Sequence, residues 1–357
     1  MVCVTQPIHT QPDDDRGLST AMDEGTLLEI KDLKAHFLLD EGVAKAVDGV
    51  SLTLKKGETL GIVGESGSGK SVTARSILQI LGSGGEIVDG QILYRRNGQV
   101  TDLAALAPSG EEIRSIRGND IAMVFQEPMT AFSPVYTVGR QISEAIRVHN
   151  QVSKRAARER TVELLRKVGI QQPERRVDAY PFELSGGMRQ RAMIAMALAC
   201  DPQILIADEP TTALDVTIQA QILALMKSIQ EETGMSIIII SHNMGVIAEM
   251  ADTVVVMYLG RVVESAPLWE LFDNPRHPYT QALLRSIPTI EEEIEGRLES
   301  IEGTVPDPYH IPVGCRFHTR CKEFIPGTCD AEEPSLRKAS PGHLARCVLV
   351  GGTDGKQ

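Results

Sequence analysis

Short apolar runs alternate with stretches of helical period along most of this chain. Thr59-Leu60-Gly61-Ile62-Val63, Ile121-Ala122-Met123-Val124-Phe125, Ile204-Leu205-Ile206-Ala207 and Ser236-Ile237-Ile238-Ile239-Ile240 are short and almost wholly apolar. Runs of that kind without a polar face read as strands buried on both sides. Between them apolar residues recur every three or four positions, at Ile142, Ala145 and Ile146 and again at Val162, Leu165 and Val168. That spacing predicts helix across 138–168, with further helices over 70–81, 187–199 and 217–232. Two β-like stretches, 27–39 and 44–54, are joined by the turn signal Asp40-Glu41-Gly42. A Gly-rich break at 82–90 leads into a strand at 91–94, and 101–118 reads as a loop with a helix. Val254–Tyr258 and Arg261–Glu264 flank Leu259-Gly260 as a closing hairpin.

Short buried strands alternating with helices predict an α/β fold, a mostly parallel sheet with helices on both faces. From residue 266 the pattern changes. Prolines accumulate at 267, 275, 278, 288, 306, 308, 312, 326, 334 and 341, and regular periodicity fades. The expected organisation is a disordered tail over 1–25, a main domain over 26–265 and a small irregular C-terminal region over 266–357. The tail carries Asp13-Asp14-Asp15 and no apolar signal region.

Charge and composition narrow the function. A formal charge of −12 leaves no broad basic surface for nucleic acid. No apolar run approaches about 18 residues, so no segment is expected to span a bilayer; any membrane contact goes through a partner.

The candidate chemistry sits at strand ends. Gly64-Glu65-Ser66-Gly67-Ser68-Gly69-Lys70-Ser71 follows the strand at 59–63 and fits the phosphate-loop pattern G-x-x-x-x-G-K-[ST]. Its backbone N–H groups and the following helix start form a phosphate cradle. Lys70 would lie between β- and γ-phosphates, and Ser71 would ligate Mg²⁺. Asp208-Glu209 ends the strand at 204–207, Asp208 as a Mg²⁺ ligand and Glu209 as the base for the attacking water. Gln126, after the strand at 121–125, could reach metal and water; His242, after Ser241, falls on the same carboxyl edge. Leu184-Ser185-Gly186-Gly187 opens another helix and forms a second anion site. A second cradle suggests action on a partner's nucleotide.

With these motifs in this order, residues 26 to about 265 resemble the ATP-binding subunits of ABC transporters. The resemblance adds a D-loop at Ala213-Leu214-Asp215 and implies a nucleotide-binding domain with antiparallel β and helical subdomains, the latter over about 127–190. It implies head-to-tail pairing with a second ATPase subunit, usually a different chain in this class, whose γ-phosphate Ser185 and Gly187 would meet. It makes Phe37 the candidate adenine stack. The run Asn274-Pro275-Arg276-His277-Pro278-Tyr279-Thr280-Gln281-Ala282-Leu283-Leu284 and Gly314-Cys315 resemble dipeptide/oligopeptide importers. That class implies two transmembrane permease subunits, an extracytoplasmic substrate-binding protein and a peripheral position on the cytoplasmic face of the cell membrane. Close relatives serve nickel and other small solutes. A DNA-repair or translation ATPase would usually carry a coiled coil or two fused nucleotide domains, and an exporter would not carry this tail.

Cys315, Cys321, Cys329 and Cys347 form the remaining cluster. In a reducing compartment four thiols point to metal ligation, by zinc or iron–sulfur. Their spacing matches neither paired zinc knuckles nor a ferredoxin run. Some members of the resembled class hold a [4Fe–4S] cluster here, which makes that the expected cofactor, with zinc as the alternative. His318 and His343 are expected at the surface.

Overall fold

The computed structural model describes residues 22–127, 131–212, 214–286 and 301–350. Most of the expected tail, Cys3 and Ala213 lie outside them. The described residues form an eight-stranded sheet and a four-stranded sheet.

Five strands of the larger sheet run parallel. These are β3 (Thr59–Val63), β6 (Ile121–Val124), β7 (Ile204–Asp208), β8 (Ser236–Ser241) and β9 (Thr253–Tyr258), in the spatial order β9-β3-β8-β7-β6. Side chains alternate across the sheet. Leu205, Ala207, Ile237 and Ile239 enter one apolar cluster, whereas Ile204, Ile206, Ile238 and Ile240 enter the other. The first cluster also holds Met193 and Ile194 of a helix at Gly186–Ala197, with Ile222, Leu223 and Met226 of one at Val216–Thr233. The second joins Ile77 of α1 (Lys70–Ile77) to Leu28, Ile30, Leu52 and Leu54. Those four belong to β1 (Thr26–Leu39) and β2 (Gly42–Lys55), which pair antiparallel and, with β4 (Gly85–Arg96) and β5 (Gln99–Asp102), make the smaller sheet. The expected mixture of parallel core, antiparallel subdomain and flanking helices is what forms.

Some boundaries differ, for local reasons. α1 ends at Ile77 because Gln79 takes a left-handed φ of 50° and its amide turns to the Leu103 and Leu106 carbonyls. After α2 (Glu111–Ile116), the single helical pattern over 138–168 forms two helices, α3 (Val138–His149) and α4 (Lys154–Lys167). Asn150 caps the first by donating to the Ile146 carbonyl, and the Ser153 hydroxyl accepts the Ala156 N–H to start the second. A short turn, α5 (Pro173–Arg176), precedes α6 (Gly186–Ala197). Then come α7 (Val216–Thr233), α8 (Met244–Met250), α9 (Leu268–Asp273) and α10 (Pro278–Arg285).

The expected division at 265/266 falls inside β10 (Arg261–Pro267). Beyond it the chain returns to the same sheet. β12 (His343–Ala345) pairs with β10 through Glu264↔Ala345 and Ser265↔Leu344, and β11 (Arg337–Ser340) pairs with β12. The C-terminal region therefore extends the main domain's own sheet. His343 is fully buried here, not at the surface. Its Nε2 lies 2.6 Å from Glu264 Oε1, and the Glu264 carboxylate also accepts the N–H groups of Arg276 (2.6 Å) and His277 (2.9 Å). These bonds satisfy a fully buried carboxylate.

Candidate nucleotide site

Neighbouring strands β3, β8, β7 and β6 bring the predicted residues into a row at their carboxyl ends: phosphate loop, His242, Asp208-Glu209 and Gln126. Strands buried on both faces must run through the core and surface at their ends. That is why polar groups following short apolar runs converge here. A cavity of about 480 Å³ lined by Lys56, Gln203 and Met235 lies at the opposite, amino-end edge and holds none of them.

The loop is shaped by close backbone approach. Gly64 has φ 149°, and a Cβ there would stand 2.2 Å from the Met257 carbonyl oxygen. Lys70 is buried, its Nζ donating to Gly64 O (2.7 Å) and Glu65 O (2.9 Å) and lying 3.4 Å from Ser68 Oγ. Burial lowers its pKa, against the opposing charges of Glu209, Asp208 and Glu65. A phosphate entering the cradle would replace carbonyl dipoles around this ammonium with full negative charge. Ser66 and Gly67 form the exposed rim, and Gly69 caps α1 in the left-handed region.

Ser71 Oγ donates to Asp208 Oδ1 at 2.8 Å. Asp208 is fully buried, and its Oδ2 has no hydrogen-bond partner among the described residues, the Arg75 guanidinium standing 4.0 Å away. Burial raises its pKa. A hydroxyl beside a buried carboxylate oxygen left unsatisfied is a donor set that suits a hard divalent cation such as Mg²⁺.

Glu209 is the centre of a second group. Its Oε2 accepts from the Gln126 amide (2.8 Å) and the Thr212 hydroxyl (2.9 Å), and His242 Nδ1 lies 3.1 Å from its Oε1. Gln126 thus meets the base, while Ser71 and Asp208 pair with each other. Burial pushes the Glu209 pKa up, but the bonds from His242 and Thr212, with the charges of His242 and Lys70, hold it below the ordinary value. Glu209 also adopts φ 48°, a left-handed conformation that costs a non-glycine residue about 1–3 kcal/mol and recurs at functional sites. Thr212 was not among the predicted residues.

Ser185 is exposed at the start of α6, its hydroxyl accepting the Met188 N–H at 3.3 Å, and Gly187 packs against Ile218. Phe37 is half-buried on β1, its ring lying over Gly85 of β4.

Cys315, Cys321, Cys329 and Cys347 are free thiols and line one small cavity with Phe317 and Pro334. Burial pushes the Cys315 pKa up to about 11. Among the described residues no group of three or more His, Cys, Asp or Glu side chains is close enough to hold a metal ion. The four thiols share one cavity without forming a ligand set.

Residues 47–212 match the family described as ABC transporter, and residues 263–329 match the oligopeptide/dipeptide transporter C-terminal region. The chain is 51% identical, over 90% of its length and 94% of the relative's, to the probable peptide ABC transporter ATP-binding protein y4tR of Sinorhizobium fredii (strain NBRC 101917 / NGR234). It is 49% identical, over 91% of its length and 97% of the relative's, to the oligopeptide transport ATP-binding protein AppD of Bacillus subtilis (strain 168). A dimeric post-hydrolysis structure of the ATP-binding cassette MJ0796, bound to ADP and Pi, superposes with a TM-score of 0.59 at 27% identity, covering 68% of this chain and 99% of that one. The chain therefore belongs to the ABC transporter family of ATP-binding proteins. Its chemistry is ATP hydrolysis, with ATP and Mg²⁺ as the implied cofactors. Among the described residues no helix is long and apolar enough to cross a membrane.

Proposed function

We propose that this chain hydrolyses ATP to energise import of dipeptides and oligopeptides through membrane permease subunits, at whose cytoplasmic face it sits as a peripheral subunit. The observation that carries the hydrolytic reading is Glu209 held by Gln126, Thr212 and His242 beside the phosphate loop. Peptide, rather than nickel or another small solute, is favoured by the match over residues 263–329 and by the similarity to peptide-transport ATP-binding proteins.

In this reading Lys70 and the loop N–H groups of residues 64–71 hold the phosphates, and Phe37 stacks on adenine. Ser71 and Asp208, with Gln126 within reach of the site, would hold Mg²⁺, which supplies charge neutralisation on the phosphates. Glu209 takes a proton from water as its oxygen attacks the γ-phosphorus and the bond to the ADP oxygen breaks. His242 and Thr212 orient the carboxylate. Ser185 and Gly187, at an exposed helix start, would close over the γ-phosphate of a second ATPase subunit, and an extracytoplasmic binding protein would deliver the solute. Uptake of a labelled tripeptide tests this: cells with the complete transporter should accumulate it, and cells lacking only this chain should not. Equal uptake would contradict the reading.

The cysteine cavity is assigned to a [4Fe–4S] cluster in preference to zinc. Four cysteine sulfurs are the donor set such a cluster takes, and the preference over zinc rests on the likeness of this region to dipeptide/oligopeptide importers. Protein purified without oxygen should contain about four iron and four acid-labile sulfide per chain. Stoichiometric zinc without iron would overturn the assignment.

A further inference from the structure

Glu65 occupies a variable position of the phosphate-loop pattern, and the chemistry described so far gives its side chain no task. The structure fixes it from the C-terminal region. Arg320 grips its carboxylate with two bonds, Nη1 to Oε2 at 2.6 Å and Nη2 to Oε1 at 3.0 Å. The arginine side chain is only 4% exposed, is held by its Nε donating to the Glu302 carbonyl at 3.1 Å, and lies 3.3 Å from the Tyr258 hydroxyl. The Glu65 N–H donates to the Tyr279 hydroxyl at 2.8 Å. Tyr279 is fully buried, its ring 4.7 Å from that of Tyr258 and 5.2 Å from that of Phe317. On the other side the Glu65 carbonyl accepts from Lys70.

We propose that Arg320 and Tyr279 are positioning residues for nucleotide binding, through which the C-terminal region holds Glu65 and sets the phosphate loop. A bare carboxylate one residue from Gly64 would repel the incoming triphosphate and compete with it for the Lys70 ammonium. The arginine fork neutralises that charge and fixes its direction. The tyrosine hydroxyl satisfies an N–H at the loop's first bend. Arg320 ends a turn (His318–Arg320) that lies between Cys315 and Cys321 in the chain.

The test measures affinity for a fluorescent ATP analogue, with KM and kcat for ATP, on the full chain. Arg320→Ala should weaken binding about tenfold, the scale of one partly screened charge interaction, and raise KM with kcat little changed. Arg320→Lys should retain most of the affinity. Glu65→Gln in the Arg320→Ala background should restore affinity to within about threefold of wild type, because the uncompensated carboxylate is gone. A purely structural role would leave that double variant as weak as Arg320→Ala. Unchanged affinity in Arg320→Ala, or no rescue by Glu65→Gln, would overturn the proposal. If Arg320→Ala does not fold, Tyr279→Phe decides: KM for ATP should rise about threefold, the scale of one hydrogen bond, with kcat retained, and an unchanged KM would overturn it. The inference rests on nucleotide binding at this loop, which loss of binding in Lys70→Ala tests separately.

Discussion

Glu209→Gln is expected to bind ATP with near wild-type affinity and to lose turnover by about 10²–10⁴, the contribution typical of a positioned base. The amide keeps the shape of the carboxylate and can still meet Thr212 and His242, but it cannot take a proton from water. The geometry makes this residue hard to replace. Its carboxylate is reached from β6 by Gln126, from β8 by His242 and from its own turn by Thr212. The depressed pKa keeps the base ionised at neutral pH, so its titration should not limit the rate there. The sign for stability is the same. A carboxyl whose folded value is depressed stabilises the protein above its unfolded value, and that contribution is lost as pH falls through the folded value. Phosphate release measured beside binding of a fluorescent ATP analogue checks the prediction. Turnover at the wild-type rate in Glu209→Gln would remove Glu209 from the mechanism.

Lys70→Ala acts one step earlier, on binding itself. The wild-type ammonium is buried and already bonded to the Gly64 and Glu65 carbonyls. On phosphate it would make charge-assisted bonds worth about 1.5–3 kcal/mol each. Its removal also leaves two loop carbonyls without their donor. Affinity for the same fluorescent analogue should fall by about a hundredfold or more, and turnover with it. Retained affinity would mean that the loop's N–H groups alone hold the phosphates. The two variants therefore separate binding from chemistry: one saturates with nucleotide and does not turn over, the other does not saturate.

Sequence pattern carried the parallel core well, because β3, β7 and β8 are short apolar runs that no amphipathic helix would show. It carried the catalytic row for the same reason. Once strands are buried on both faces, Gln126, Asp208-Glu209 and His242 must emerge at one edge. The contacts that escaped it are those with no local period. Arg320 meets Glu65 across 255 residues, and β12 is three residues long, too short to register against a Pro-rich background. His343 looked like a surface residue because its partner, Glu264, lies on a strand 79 residues earlier. Thr212 was the one miss with a readable signal. A hydroxyl three residues past a carboxylate at a turn is a spacing that side-chain hydrogen bonds favour. The four cysteines were legible as a group, and the structure gathers them around one cavity. Gly314 and Cys315, noted only for their resemblance, acquire a geometric reason. Gly314 at φ 78° brings the Cys315 N–H to the Cys329 carbonyl at 2.7 Å, where a Cβ would stand 2.3 Å from that oxygen.

His277-Pro278-Tyr279 shows the same gain. By pattern it was a family signature after the nucleotide domain. In the structure His277 caps α10 by accepting the Tyr279 N–H at 3.1 Å, with burial pushing its pKa down to about 3 and so keeping the ring neutral. Tyr279 then reaches the phosphate loop. The C-terminal region is thus joined to the nucleotide site by specific bonds as well as by the shared sheet.

The most direct measurement is ATP hydrolysis by the complete transporter in liposomes, with and without peptide-loaded binding protein. Peptide should stimulate hydrolysis strongly, and Glu209→Gln should lower both basal and stimulated rates. Stimulation by a nickel-loaded or other small-solute binding protein, with none by peptide, would contradict the account.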